Sequence, residues 1–240
     1  MDLQGKYILC IAEAGPLAEV SESGVYPIPY RDIAAMVRDV PLPAPPPSRR
    51  DLVSHLRVIE QIMATRTVIP VGFGNIAATE EEVSQGLLAS RYDEWQALLA
   101  RLAGKVELGL KVLWKEMETV FAEIAADRAD IRARRDGAVA GRRALTYPER
   151  IEIGQMVAEA LEEKKLREGG AILEALAPLA AEVRSGKLLG ENMILNAAFL
   201  VERGREAEFD GAVSRLAQDC GERLALKYVG PAPPFNFVSV

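Results

Sequence analysis

Gly72-Phe73-Gly74-Asn75-Ile76-Ala77 has the form GxGxxA and follows an apolar run, an arrangement that can set backbone amides against a phosphate. In a dinucleotide site the glycines open the helix directly, so that its first N–H groups and positive end meet the pyrophosphate. Here the helix-start signal comes later, at Thr79, and the acidic residues about 20 positions on, Asp93 and Glu94, fall inside the next predicted helix. The turn reads as a strand-to-helix connection, and no Walker lysine motif occurs. The alternative is a small-molecule-binding or enzymatic α/β domain that uses Gly72–Asn75. Nucleophilic catalysis needs a base beside Ser or Cys, and His55, next to Leu56 in a predicted helix, is the single imidazole. A packed or surface histidine is the simpler reading. Cys10 and Cys220 are far apart and form no CxxC, so with one His they do not fill a transition-metal shell, although carboxylates could hold a hard cation. Glu80-Glu81-Glu82 opens a helix, where negative charge suits the dipole, and Glu162-Glu163 meets Lys164-Lys165 along another. The sequence therefore predicts no catalytic, cofactor-binding or metal-binding residue, and no enzyme.

Composition narrows the classes further. The chain has 240 residues, 49% hydrophobic and 27% charged, enough to bury a core without disulfides. A formal charge of −6 and a pI near 5.1 disfavour a phosphate backbone as partner. Phe199 and Tyr228 do not make the aromatic cluster of an RNA-binding sheet. Isolated thiols fit a reducing compartment. The apolar stretch Tyr7 to Ala14 is too short and lacks the basic flank of an export signal, and no run reaches the ~20 residues that span a bilayer. A cytoplasmic protein without nucleic-acid or membrane partners is expected.

The elements that must position these residues follow from periodicity. Residues 6–13 and 25–30 read as strands, the second an edge or irregular one because of Pro27 and Pro29. Ile33, Met36, Val37 and Val40 have the i, i+3, i+4, i+7 spacing of a short helix. Five prolines between Pro41 and Pro47 make a stiff linker, after which Ser48 starts a helix with Leu52, Val53, Leu56, Ile59 and Met63. A β-rich run covers Thr67 to Phe73, and Thr79 with Glu82 opens one long helix carrying Val83, Leu87, Leu88, Trp95, Leu98, Leu99 and Leu102.

The alternation in VELGLKVLW, residues 106–114, is the clearest strand signal. From Lys115 to Arg184 the pattern is helical with almost no strand signal, and Thr146 with Pro148 and Glu149 caps the second helix. That helix has a potential break at Gly169-Gly170 or Pro178. An antiparallel helical hairpin, coiled-coil-like, is expected at about 115–185, its tip at 127–143 carrying six Arg and three Asp. A solvated hairpin end is the simple reading of that tip, an anion or partner site the other. Strands at 193–201 and 223–229 flank a helix with Phe209, Val213 and Leu216, and a Pro-rich tail follows. The predicted class is α+β, with an N-terminal α/β domain at 1–104 and a C-terminal ferredoxin-like domain at 105–240 with the hairpin inserted.

Several segments, in order, resemble the GvpF/GvpL family of gas vesicle proteins: GKYILCIAEA, YRDIAAMVRDVP, LVSHLRVIEQIM followed by VIPVGFGNI, VELGLKVLW, NAAFLV and GPAPPFNFV. Two departures are visible. The resemblance implies Arg where Gly72 stands and Tyr where Phe235 stands, so contacts made by that guanidinium or phenol are in doubt here. It also implies a two-domain accessory protein without catalytic residues, needed to form the gas-filled organelles that give buoyancy. Its implied partners are the hydrophobic shell subunit GvpA and other accessory gas vesicle proteins, and its implied location the cytoplasm and the vesicle, including the gas-facing wall surface. The hairpin and the tail with Phe235 and Phe237 are the candidate contact surfaces.

Overall fold

The computed structural model describes residues 4–15, 24–44, 46–140 and 144–238, with the side chains of 135 and 137–140 left aside. The fold is mixed α/β, and the chain divides into two compact units. One comprises Met1–Leu108, Leu200–Gly204 and Gly230–Val240; the other comprises Gly109–Phe199 and Arg205–Val229.

In the first unit β1 (Gln4–Glu13), β2 (Val25–Tyr30), β3 (Ile33–Pro41) and β4 (Val68–Pro70) form an antiparallel sheet in the order β2-β3-β1-β4, and β5 (Ile76–Ala77) also pairs with β1. β1 is buried continuously from Tyr7 to Ala12, which requires cover on both faces. Its register against β3 shifts between Ile8 and Cys10. At Gly5, β5 runs so close that a Cβ would sit 2.8 Å from Ile76 Cγ2.

The segment 33–40, expected to be helical, is the strand β3. Ile33 to Val37 are all buried, and a central strand covered on both faces loses the period-two alternation that would have marked it. The proline stretch therefore joins a strand to a helix. That helix, α1 (Arg49–Met63), opens on a capping box in which Ser48 and Asp51 satisfy each other's backbone N–H. His55, Val58, Ile59, Ile62 and Met63 face inward, while Leu52 and Val53, placed by spacing in the apolar set, are exposed. The expected long helix at 83–102 is two: a π-helical stretch at Glu82–Ala89, then α2 (Tyr92–Leu102). Thr79 does accept the Glu82 N–H, and Glu82 accepts that of Ala78.

The second sheet has the order β7-β8-β6-β9, from β6 (Lys105–Trp114), β7 (Glu182–Ser185), β8 (Met193–Glu202) and β9 (Leu224–Ala232). β7 falls at the end of the stretch whose pattern carries almost no strand signal. Between β6 and β7 run α3 (Met117–Asp127), α4 (Ala129–Ala140) and α5 (Tyr147–Leu176), the last capped by Thr146 and Glu149. The first arm of the hairpin is thus broken at Arg128. α5 continues through Gly169-Gly170, because Gly169 packs on the Ile194 carbonyl of β8 and a Cβ there would overlap it. α6 (Glu206–Cys220) buries Phe209 and Val213, and Phe209 lies 5.0 Å from Phe199 between ring centroids.

Candidate functional site

Each residue with chemical potential has a definable environment. His55, on α1, is fully buried beside Tyr7 of β1. Its Nε2 lies 3.0 Å from the Val71 carbonyl, which can only accept, so that nitrogen carries the hydrogen. Nδ1 then accepts from the Tyr7 hydroxyl at 2.9 Å, and the Tyr7 oxygen accepts the Gly74 N–H at 3.4 Å. Phe73 packs edge-on against both rings, Phe235 lies 6.4 Å from the imidazole, and the Arg38 guanidinium covers Tyr7 at 4.8 Å. Both ring nitrogens are engaged by the chain's own groups, so this histidine fastens α1 to the sheet.

Burial pushes the His55 pKa below its usual 6.5, against the opposing effect of the Val71 carbonyl. The neutral form is favoured in the folded chain, so this stabilisation is complete above pH 6.5 and is lost as pH falls below that value. Thermal melts of the wild type should drop by several degrees on acidification from neutral toward pH 5, and His55→Gln, which keeps one donor and one acceptor, should flatten that dependence. Parallel profiles would remove His55 as its source.

The Gly72–Asn75 turn is closed on itself. Asn75 donates from its side chain to Gly72 O at 2.7 Å, its carbonyl accepts the Ile8 N–H at 2.9 Å, and Gly74 has φ +95°. The Gly74 amide that a phosphate would need points to Tyr7 instead. Cys10 is fully buried, and burial pushes its thiol up to about 12, far from a reactive thiolate. Among the described residues no group of three or more His, Cys, Asp or Glu could hold a metal.

A cavity of about 300 Å³ in the first unit gathers Arg66, Lys105 and Arg203, a basic set without a sequence motif. All three donate to carbonyls: Arg66 to Glu13 at 3.0 Å, Lys105 to Arg101 at 2.7 Å and Arg203 to Met63 at 2.8 Å. The last two cap the C-terminal ends of α2 and α1, where a cation is favoured. The tail belongs to the first unit. Phe237 is buried, its carbonyl accepts from Arg101, and Asn236 gives the Glu107 carboxylate two hydrogen bonds, 2.9 Å from N–H and 2.6 Å from Nδ2. Burial raises the Glu107 pKa while those donors lower it.

At the basic tip, Arg128 pairs with Asp130 and Glu163, Arg134 pairs with Glu152, and Arg132 donates to the Ala126 carbonyl. Arg142 and Arg143 lie outside the described residues. Among its exposed side chains the hairpin also carries four large apolar ones: Phe121 is 38% exposed, Tyr147 70%, Ile151 46% and Leu166 74%.

The sequence model of the family described as gas vesicle synthesis protein GvpL/GvpF matches residues 5–239. The chain belongs to this family. Gas vesicle protein F from a Streptomyces species is 34% identical over 209 residues, 86% of this chain and 84% of the relative. Gas vesicle protein F from a Nostoc species is 32% identical over 195 residues, 80% and 79% of the two chains. The crystal structure of the gas vesicle protein GvpF from an Anabaena species superposes with a TM-score of 0.88 at 28% identity, over 99% of both chains. That of GvpF from Microcystis aeruginosa gives 0.83 at 25% identity, over 98% and 99%. In this GvpL/GvpF member, Gly72 bounds the self-closed turn and Phe235 stands 6.4 Å from His55 between ring centroids.

Proposed function

We propose that the chain is an accessory protein of gas vesicle assembly that binds the hydrophobic shell subunit GvpA and other accessory gas vesicle proteins, and that it catalyses no reaction. It works in the cytoplasm and on the vesicle, including the gas-facing wall surface. The observation that carries the reading is the family match over residues 5–239. The exposed Phe121, Tyr147, Ile151 and Leu166 on the hairpin supply a surface of the right chemistry. No helix among the described residues is long and apolar enough to cross a membrane, so these side chains do not belong to a spanning segment.

A subunit whose apolar face will meet gas is prone to aggregate in water, and covering that face lowers the exposure. Burying ~400 Å² of apolar surface contributes on the order of 10 kcal/mol, against association costs of about 4–15 kcal/mol. Capture is therefore weak and reversible, as a delivery step requires. The hairpin is the stronger of the two candidate surfaces, because Phe237 of the tail is buried. We further propose an α/β domain at 1–104 and a ferredoxin-like domain at 105–240, a division along the chain that differs from the compact units in counting 200–204 and 230–240 with the second domain. The strand order β7-β8-β6-β9, with helices between β6 and β7 and between β8 and β9, supports the second assignment.

Pull-down with the shell subunit tests the proposal. Tyr147→Ser combined with Ile151→Ser should reduce capture about tenfold, while Leu52→Ser with Val53→Ser on α1 should leave it unchanged. Equal capture by all three proteins would discard the hairpin, and absence of capture by the wild type would discard the shell subunit as partner.

A further inference from the structure

β9 stands at one side of the second sheet, and its outer edge has no neighbouring strand. Two contacts fix its register against β6. The Lys115 N–H donates to the Arg223 carbonyl at 3.0 Å, and a Cβ on Gly109 would meet Val229 Cγ2 at 3.0 Å. The two strands therefore run antiparallel, and counting inward from either contact sets Lys111 directly opposite Lys227. Residues opposite each other in such a pair project to one face, so the two lysines stand side by side there, with Gly109 and Val229 next along the strands. Both lysines are exposed, and Val229 is 63% exposed.

Like charges directly opposite each other on a sheet are destabilising. Neither ammonium has an ion-pair or hydrogen-bond partner among the described residues, although the whole chain carries a net charge of −6. A lysine on an edge strand guards against pairing with another edge, which accounts for Lys227. Lys111 lies on an inner strand, where there is no edge to guard. The backbone is available as well. Arg223 bonds inward to β6, and antiparallel bonding alternates, so Ala225, Lys227 and Val229 also turn their backbone groups inward while Leu224, Leu226 and Tyr228 turn theirs to the open side. A second copy does not suit this edge, because antiparallel pairing about a two-fold axis would bring two more lysines to the same face. A strand bearing carboxylates does.

We propose that the open side of β9 takes an extended acidic segment of a partner protein as a fifth strand of this sheet. Leu224, Leu226 and Tyr228 supply the main-chain hydrogen bonds, which give affinity, and a carboxylate of the segment stands beside Lys227 and relieves its repulsion from Lys111, which gives selectivity. The ion pair is exposed, so docking is salt-sensitive. None of the hairpin's exposed apolar residues takes part.

Fluorescence anisotropy of an end-capped, labelled octapeptide of alternating threonine and glutamate, titrated with the full chain, reads the docking. Binding should saturate and should weaken with added salt. With a glutamate beside Lys227, the threonines stand opposite Leu226 and Tyr228. The peptide with glutamine for glutamate lacks the charge, and the peptide with proline for threonine keeps the charge but lacks the N–H donors of the ladder; each should bind at least about tenfold more weakly. Lys227→Glu should weaken docking of the parent peptide at least about tenfold. Lys111→Glu should weaken it too, because the introduced carboxylate pairs with Lys227 within the sheet, and for the same reason it should raise the melting temperature. A parent peptide that does not bind saturably, equal binding of the proline peptide, undiminished binding by Lys227→Glu, or a lowered melting temperature for Lys111→Glu overturns the proposal.

Discussion

Gly169→Ala will lower the stability of the folded chain by about 3 kcal/mol or more, while Gly170→Ala beside it will raise stability by about 0.5–1 kcal/mol. Both residues lie inside α5, where alanine is the better helix former, so propensity alone predicts the same small gain at each. Space separates them. A Cβ at Gly170 meets nothing within 4 Å, whereas at Gly169 it would overlap the Ile194 carbonyl oxygen of β8. A carbonyl within a sheet cannot swing aside as a side-chain tip can, so α5 would have to lift from β8. Urea denaturation of the two variants measures the contrast, and a neutral Gly169→Ala would show that α5 does not seat on β8 at this point.

The second large effect lies in the charge network on α3, α5 and the residue preceding β9. Lys164 is buried, 2.9 Å from Glu123 and 3.4 Å from Glu168. Arg223 grips both carboxylates, donating to Glu123 at 2.8 Å and to Glu168 at 3.0 Å, and the Trp114 indole donates to Glu168 at 2.7 Å. Glu123→Gln leaves the buried ammonium and the guanidinium sharing one carboxylate and should cost about 2–3 kcal/mol, less than a wholly dry pair because Glu123 is partly solvated. Lys164→Met should be milder, since it withdraws a buried charge while Arg223 still holds both acids. The Arg223 guanidinium, helped by Lys164 and opposed by burial, holds the Glu123 carboxyl down to about 2 from 4.5. With the folded value lowered, this stabilisation is present above pH 4.5 and disappears as pH falls from there toward 2. Acid denaturation followed by circular dichroism should be less steep over that interval in Glu123→Gln; an unchanged acid limb would assign the loss to other carboxylates.

Local signals are legible in the sequence where the physics is local. Ser48 and Thr146 cap helices with partners three residues away, and the alternation of VELGLKVLW is that of β6. The helix expected at 33–40 failed because burial on both faces erased the strand's alternation and left a coincidental helical spacing. The change from π-helix to α2 near Ser90-Arg91 has neither proline nor glycine to mark it, and β7 has only Val183 as an apolar residue. The site features were hidden by distance. Tyr7 and His55 are 48 positions apart, so no window of sequence joins them.

The seating of the tail also orders events during synthesis. Glu107 receives its two donors from Asn236, which leaves the ribosome 129 residues later. The earliest strands can pair soon after they emerge, but the carboxylate beside them stays without those donors until translation has nearly run its course. Throughout that interval the nascent chain carries a half-finished first unit, and a truncated product that stops before residue 236 would keep it so.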